Sequence, residues 1–191
     1  MTADLLGWAG FALYILAQAY ITWVRDANRT IYYTMNLFGA LGYTISSALL
    51  YSWQSVSINV FWFIVSALML MGITPTGPLR VVRTPLVAIV GLMALAAAAI
   101  WPTSPDWGRS ILGWDGALLY CAGYALFASK VIRRKLYLVM NTAAPIMLLP
   151  IYLAHHNDPA VGMSVVWAII SAAGVWHLRH RPMGWSTPPE T

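Results

Sequence analysis

Hydrophobic and polar positions alternate along this chain on a long scale. Seven apolar stretches lie near residues 5–24, 31–50, 55–73, 85–101, 111–129, 136–154 and 160–178, separated by short polar segments. Each approaches the 17–25 residues that an α-helix needs to cross about 30 Å of hydrocarbon, so the pattern predicts seven membrane-spanning helices. The fourth is the shortest; Pro85 suits a first helical turn and Pro102 ends it. Asp4 and Ser110 stand just before the first and fifth apolar runs, where they are expected as helix N-caps.

The pattern is also written twice. "LLGWAGFALY" at 5–14 returns as "ILGWDGALLY" at 111–120. "YYTMN" at 32–36 meets "YLVMN" at 137–141, and "VSINVFWFIVSA" at 56–67 meets "VGMSVVWAIISA" at 161–172. The offset falls from 106 to 105, so the second copy lacks one residue in its first loop. Each copy holds three spans. Three spans reverse the direction of the chain, so a copy attached directly would be inverted. One extra helix restores the orientation, and the Ala-rich run "VGLMALAAAAI" supplies it. The predicted fold class is therefore all-α: a polytopic membrane protein whose seven helices form two parallel three-helix bundles joined by a linker helix. The expected divisions are 1–79 for the first repeat, 80–105 for the linker helix, 106–181 for the second repeat and 182–191 for a short tail.

Composition agrees with a membrane class: 60% of the 191 residues are hydrophobic and only 9% charged, against about 25% charged in soluble domains. The net charge of +5 does not indicate nucleic acid, because the basic residues sit between apolar runs. Arg25, Arg29, Arg80, Arg83, Lys130, Arg133, Arg134, Lys135, Arg179 and Arg181 all fall on one side of a seven-span plan, leaving Arg109 alone on the other. The positive-inside rule then places the N-terminus outside and the C-terminus in the cytoplasm, in what is expected to be a bacterial inner membrane. The N-terminus has no basic n-region and Asp4 stands near its start, so no cleaved signal peptide is expected. The single cysteine, Cys121, excludes a disulfide framework within the chain.

The 3+1+3 plan resembles the SWEET sugar transporters, their half-size bacterial relatives and the wider PQ-loop superfamily. The Pnu-type vitamin transporters share the three-helix unit. Through "GW.G..LY", "MN..G" and "N..W" the first half is also similar to uncharacterised short bacterial three-span membrane proteins. Where PQ-loop families carry Pro-Gln, this chain has Ala17-Gln18 and, in the second copy, Gly123-Tyr124. The SWEET pattern of helix prolines is confined here to Pro145 and Pro150 of the sixth span. The resemblance implies that Asn59, and Ser164 in the second copy, line a solute site.

Polar groups within a span are costly unless they pair or line a wet cavity. Asn36 and Asn141 are the repeated amides, either touching a solute or joining helices by a hydrogen bond. Trp62 and Trp167 lie three residues beyond Asn59 and Ser164, on nearly the same face. A Trp beside an amide suits a sugar ring or a flat heterocycle; the plainer reading is core packing. Tyr14, Gln18, Tyr120 and Tyr124 lie on the first helix of each unit, positioned to face a cavity. Trp8 and Trp114 read as headgroup anchors, and Gly39 and Gly42 as close-packing points. Asp115 stands where the first copy has Ala9. With the helix starting after Ser110, it is expected about 7 Å into the span, either as an acid near a helix N-terminus or as a proton-coupling group at a cavity mouth.

The four histidines fall in pairs at opposite faces, which argues against a metal or haem site. The two lysines, Lys130 and Lys135, lie in a loop, which argues against retinal. No nucleophile–base constellation is visible, so neither an enzyme nor a bound cofactor is expected. The expected function is facilitated transport of a small polar or heterocyclic solute by alternating access, with a Pnu-like vitamin carrier as one alternative. A non-transporting scaffold, or a subunit or assembly factor of a larger membrane complex, is the other. A polar central cavity between the units would mark a transporter; a core filled by side chains would mark a scaffold. The expected partners are the lipid bilayer and a small-molecule solute, with no nucleic acid; assembly as a homo-oligomer or within a larger membrane complex stays open.

Overall fold

A computed structural model describes residues 2–24, 26–73 and 83–180. Seven helices follow in order: α1 (Thr2–Trp23), α2 (Arg29–Leu49), α3 (Trp53–Leu70), α4 (Arg83–Ile100), α5 (Pro105–Ala128), α6 (Arg134–Ala154) and α7 (Asp158–His180). Arg25, Arg80, Arg181, the boundary between the first repeat and the linker, and the tail at 182–191 lie outside the described residues. Two helix starts differ from expectation. α1 begins at Thr2 and α5 at Pro105, so Asp4 and Ser110 lie inside helices and are not N-caps. Pro105 takes the first turn of α5, where a missing N–H costs nothing. Asn28 caps α2, accepting from the Thr30 N–H at 2.8 Å.

Five helices (α1, α3, α5, α6 and α7) are long and apolar enough by themselves to cross a membrane. The apolar part of α4, Pro85–Ile100, is shorter. α2 is more polar along its length, but its polar groups point inward. Asn36, Ser46 and Ser47 are buried, whereas Ile31, Phe38, Leu41, Ile45 and Leu49 form an exposed apolar stripe. Similar stripes cover the outside of the molecule, including Leu16 on α1, Phe63 and Ile64 on α3, Leu92 and Leu95 on α4, Ile146 on α6 and Ile169 on α7. A surface of this kind is stable against lipid and not against water. The chain is an integral membrane protein.

In each unit the middle helix packs against the other two, α2 between α1 and α3 and α6 between α5 and α7. The units meet through α1 against α7 and α3 against α5. These contacts close a ring of six helices around a pseudo-twofold axis, with α4 outside the ring against α5.

Repeated glycines set the crossing within each unit. A Cβ on Gly10 would stand 3.0 Å from the Gly39 carbonyl oxygen; one on Gly116, its copy, would stand 2.9 Å from the Ala144 carbonyl oxygen. Gly39 in turn lies against the Tyr14 ring, and Gly42 against the Leu6 carbonyl, as close-packing points do.

Candidate functional site

The end of the ring that carries the α1–α2 and α5–α6 loops is called the basic end here, after Lys130, Arg133, Arg134 and Lys135. Along the axis the inward residues of the two units stack in layers. Trp62 and Trp167 occupy the centre, with ring centroids 5.2 Å apart. Tyr14 and Tyr120 flank them: Tyr14 lies edge-on to Trp62 at 5.1 Å, and Tyr120 edge-on to Trp167 at 6.1 Å. Tyr124 stacks on Trp62 at 4.9 Å. All five are at most 2% exposed, so aromatic rings fill the centre of the ring. Ring contacts of this kind add about 0.5–1.5 kcal/mol each beyond the area they bury.

Hydrogen bonds tie the layers across the units. Gln18 Nε2 on α1 donates to Ser171 Oγ on α7 at 2.8 Å. The copies of these positions, Tyr124 and Ser66, pair hydroxyl to hydroxyl at 2.9 Å. One interface therefore repeats the other with amide exchanged for phenol. Nearer the basic end, the Tyr32 and Tyr137 hydroxyls meet at 2.8 Å on the axis itself. Asn36 and Asn141 each donate Nδ2 to the carbonyl four residues back, at 2.8 Å.

The symmetry then breaks. In the second unit Trp167 Nε1 donates to Asn141 Oδ1 at 2.8 Å. In the first unit Trp62 Nε1 and Asn36 Oδ1 are both buried without a partner. The reverse holds one layer away. Tyr14 donates to Asn59 Oδ1 at 2.6 Å, while the copies, Tyr120 OH and Ser164 Oγ, are both unpartnered. Each unit keeps one bond that the other lacks. A buried polar group without a partner costs about 1–3 kcal/mol, and these four atoms carry that cost on the axis.

Of the expected site residues, Tyr14, Gln18, Asn36, Asn59, Trp62, Tyr120, Tyr124, Asn141, Ser164 and Trp167 are therefore drawn together around one axis. Asp115 is not among them. Because α5 starts at Pro105, Asp115 is about 15 Å along the helix at 1.5 Å per residue, not about 7 Å. It also faces away from the axis: nine residues separate it from Tyr124, which at 100° per residue is the opposite face. Gly108, two turns earlier on the face of Asp115, lies against Trp101 at the end of α4. Asp115 is therefore covered from the linker side, wholly buried, with both carboxylate oxygens unpartnered. Asp115 thus lies apart from the axial layers.

Sequence reasoning did not select Ser66, Ser171, Tyr32 and Tyr137 as site residues. Their recurrence at the repeat offset was the available signal. Trp8 and Trp114 are half-exposed at the end opposite the basic one, as anchors would be. At that end a cleft of about 500 Å³ opens between α3, α5 and α6, lined by Trp53, Gln54, Arg109, Trp114 and His155 among others.

Fold and site together define a polytopic α-helical membrane protein made by duplication of a three-helix unit. One family model matches the chain twice, over residues 3–76 and 109–182. The chain belongs to that family, which is uncharacterised. No curated protein and no solved structure matches it.

Proposed function

We propose that this protein carries a small polar or heterocyclic solute along the pseudo-twofold axis, and that the conformation described is a closed state with the aromatic layer shut. The observation that carries this reading is the pair of broken copies on the axis. Trp62 Nε1 offers a donor and Asn36 Oδ1 an acceptor, both buried and unmet, while Trp167 and Asn141 satisfy each other. A flat solute with an acceptor and a donor would satisfy the first pair and stack on the rings. Parallel repeats in other transporter folds place the solute at such an interface. The resemblance to SWEET and Pnu-type proteins favours the same reading, with a sugar-like or vitamin-like solute. No catalysis and no bound cofactor enter into it. The positive-inside rule supports an N-terminus outside and a C-terminus inside a bacterial inner membrane.

Proteoliposomes loaded with a defined mixture of sugars, nucleobases and water-soluble vitamins test the proposal. Loss of one class from the lumen, abolished by Asn36→Leu or Trp62→Phe in protein that still folds, is the expected outcome. A mixture that leaks no faster than from empty liposomes defeats it. The second reading, a membrane scaffold or assembly subunit, is favoured by one observation: the centre of the ring is filled by side chains and not by a polar cavity. Stable capture of this chain in a larger membrane complex, with no solute movement, would identify that role.

A further inference from the structure

Arg134 opens α6 at the basic end, yet it is 7% exposed. Its guanidinium crosses to α1, where Nη2 donates to the Ile21 carbonyl. Ile21 is in the last turn of α1, which ends at Trp23. A cation there satisfies a terminal carbonyl and meets the negative end of the helix dipole. That contact uses only one edge of the group. Nε and Nη1 are buried with no partner. The next residue of α1, Thr22, is 1% exposed and its hydroxyl is also unpartnered.

The surroundings bring these two groups to one junction. The Thr22 methyl and the Leu138 side chain both pack on Gly174 of α7. Leu138 lies one turn beyond Arg134 on the same face of α6. Thr22 and Arg134 thus both lie at the junction where α1, α6 and α7 converge. Lys130, Arg133 and Lys135 are exposed at the same end, so the local field is positive. Asp26, in the α1–α2 turn, is exposed there too, and it does not bond to Nε or Nη1. The repeat supplies a comparison. Arg29 occupies the place of Arg134 in the first unit, but Ala128 stands where the second junction has Thr22. The hydroxyl belongs to one junction only.

A guanidinium with unmet donors beside an unmet hydroxyl is an arrangement for an oxyanion: the arginine supplies charge and N–H groups, and the hydroxyl adds a donor. We propose that Arg134 and Thr22 form a binding site for one phosphate or carboxylate group at the α1–α6–α7 junction. The group belongs either to a soluble anion or to an anionic lipid headgroup. The proposal does not depend on transport, because binding is read without solute movement.

The test uses the full chain in neutral detergent, with unfolding followed by tryptophan fluorescence. Inorganic phosphate and acetate are titrated against chloride at equal ionic strength, and phosphatidylglycerol is compared with phosphatidylcholine in mixed micelles. Binding to the folded state raises the melting temperature saturably. A shift with phosphate or acetate assigns a soluble anion; a shift with phosphatidylglycerol alone assigns a headgroup. Thr22→Val, which keeps shape and the arginine contact, is expected to weaken the apparent affinity about tenfold. Arg134→Gln is expected to abolish the shift. If it fails to fold, Thr22→Val carries the test alone. No shift beyond chloride with any of the three probes, or full affinity in Thr22→Val, overturns the site.

Discussion

Tyr32 and Tyr137 stand 105 residues apart in the chain and meet hydroxyl to hydroxyl at 2.8 Å. They are the same position in the two copies, so their meeting point marks the pseudo-twofold axis. A bond on the axis cannot favour one unit over the other, and either oxygen can donate. Off the axis the copies are free to differ, and there the structure becomes asymmetric.

The first prediction uses that asymmetry. Trp167→Phe removes a bonded donor and leaves Asn141 Oδ1 unmet, so it should lower stability by about 1 kcal/mol. Trp62→Phe removes a donor with no partner and should cost less, or nothing. Thermal unfolding of both variants in detergent checks this. Equal losses would show that the two tryptophans are equivalent in the membrane.

The second concerns the helix crossings. Gly10→Ala places a methyl 3.0 Å from a backbone oxygen and 3.1 Å from the Tyr43 backbone nitrogen. Gly116→Ala meets the Ala144 carbonyl at 2.9 Å. Neither backbone can yield without shifting a helix, so each should cost about 1–3 kcal/mol. Gly91→Ala on α4 meets nothing within 4 Å and should leave the melting temperature unchanged or slightly higher.

The third concerns Asp115, an acid buried by the linker with no partner for either oxygen. Replacing it with Leu should raise the melting temperature, because an unmet polar group is removed from an apolar slot. If the acid takes up a proton during transport, Asp115→Asn should also abolish the dependence of uptake on a pH gradient while sparing exchange at equal pH. A variant with unaltered gradient dependence and no gain from Leu would leave the acid without either role.

The fourth tests orientation. Reporter fusions in the 25–30 and 130–135 loops should report the cytoplasm, and fusions near 52, 105 and 157 the outside. A fusion at 130–135 that reports the outside would overturn the seven-span topology.

Periodicity and length alone determined the seven helices, because a span across lipid needs a long apolar run that nothing else in a chain resembles. The repeat was equally legible: matched motifs at an offset of 106 and then 105, with an odd helix between them, allow only parallel units. The ring order was not legible. Which helix of one unit touches which of the other depends on the pairing of Gln18 with Ser171, of Ser66 with Tyr124 and, on the axis, of Tyr32 with Tyr137, relationships that join residues far apart in the chain. Candidate residues such as Asn36 and Trp62 could be picked out as costly polar or aromatic positions, but whether they were satisfied could not. Satisfaction is a matter of hydrogen-bond distance, and two copies with the same residue types came out bonded in one unit and unbonded in the other. Asp115 makes the same point through burial. Its copy, Ala9, is exposed, while α4 packs against α5 in the second unit. Sequence showed that the acid was odd; only the tertiary structure decided that it faces the linker and not the axis, because the face of a helix turned inward is set by what packs against it.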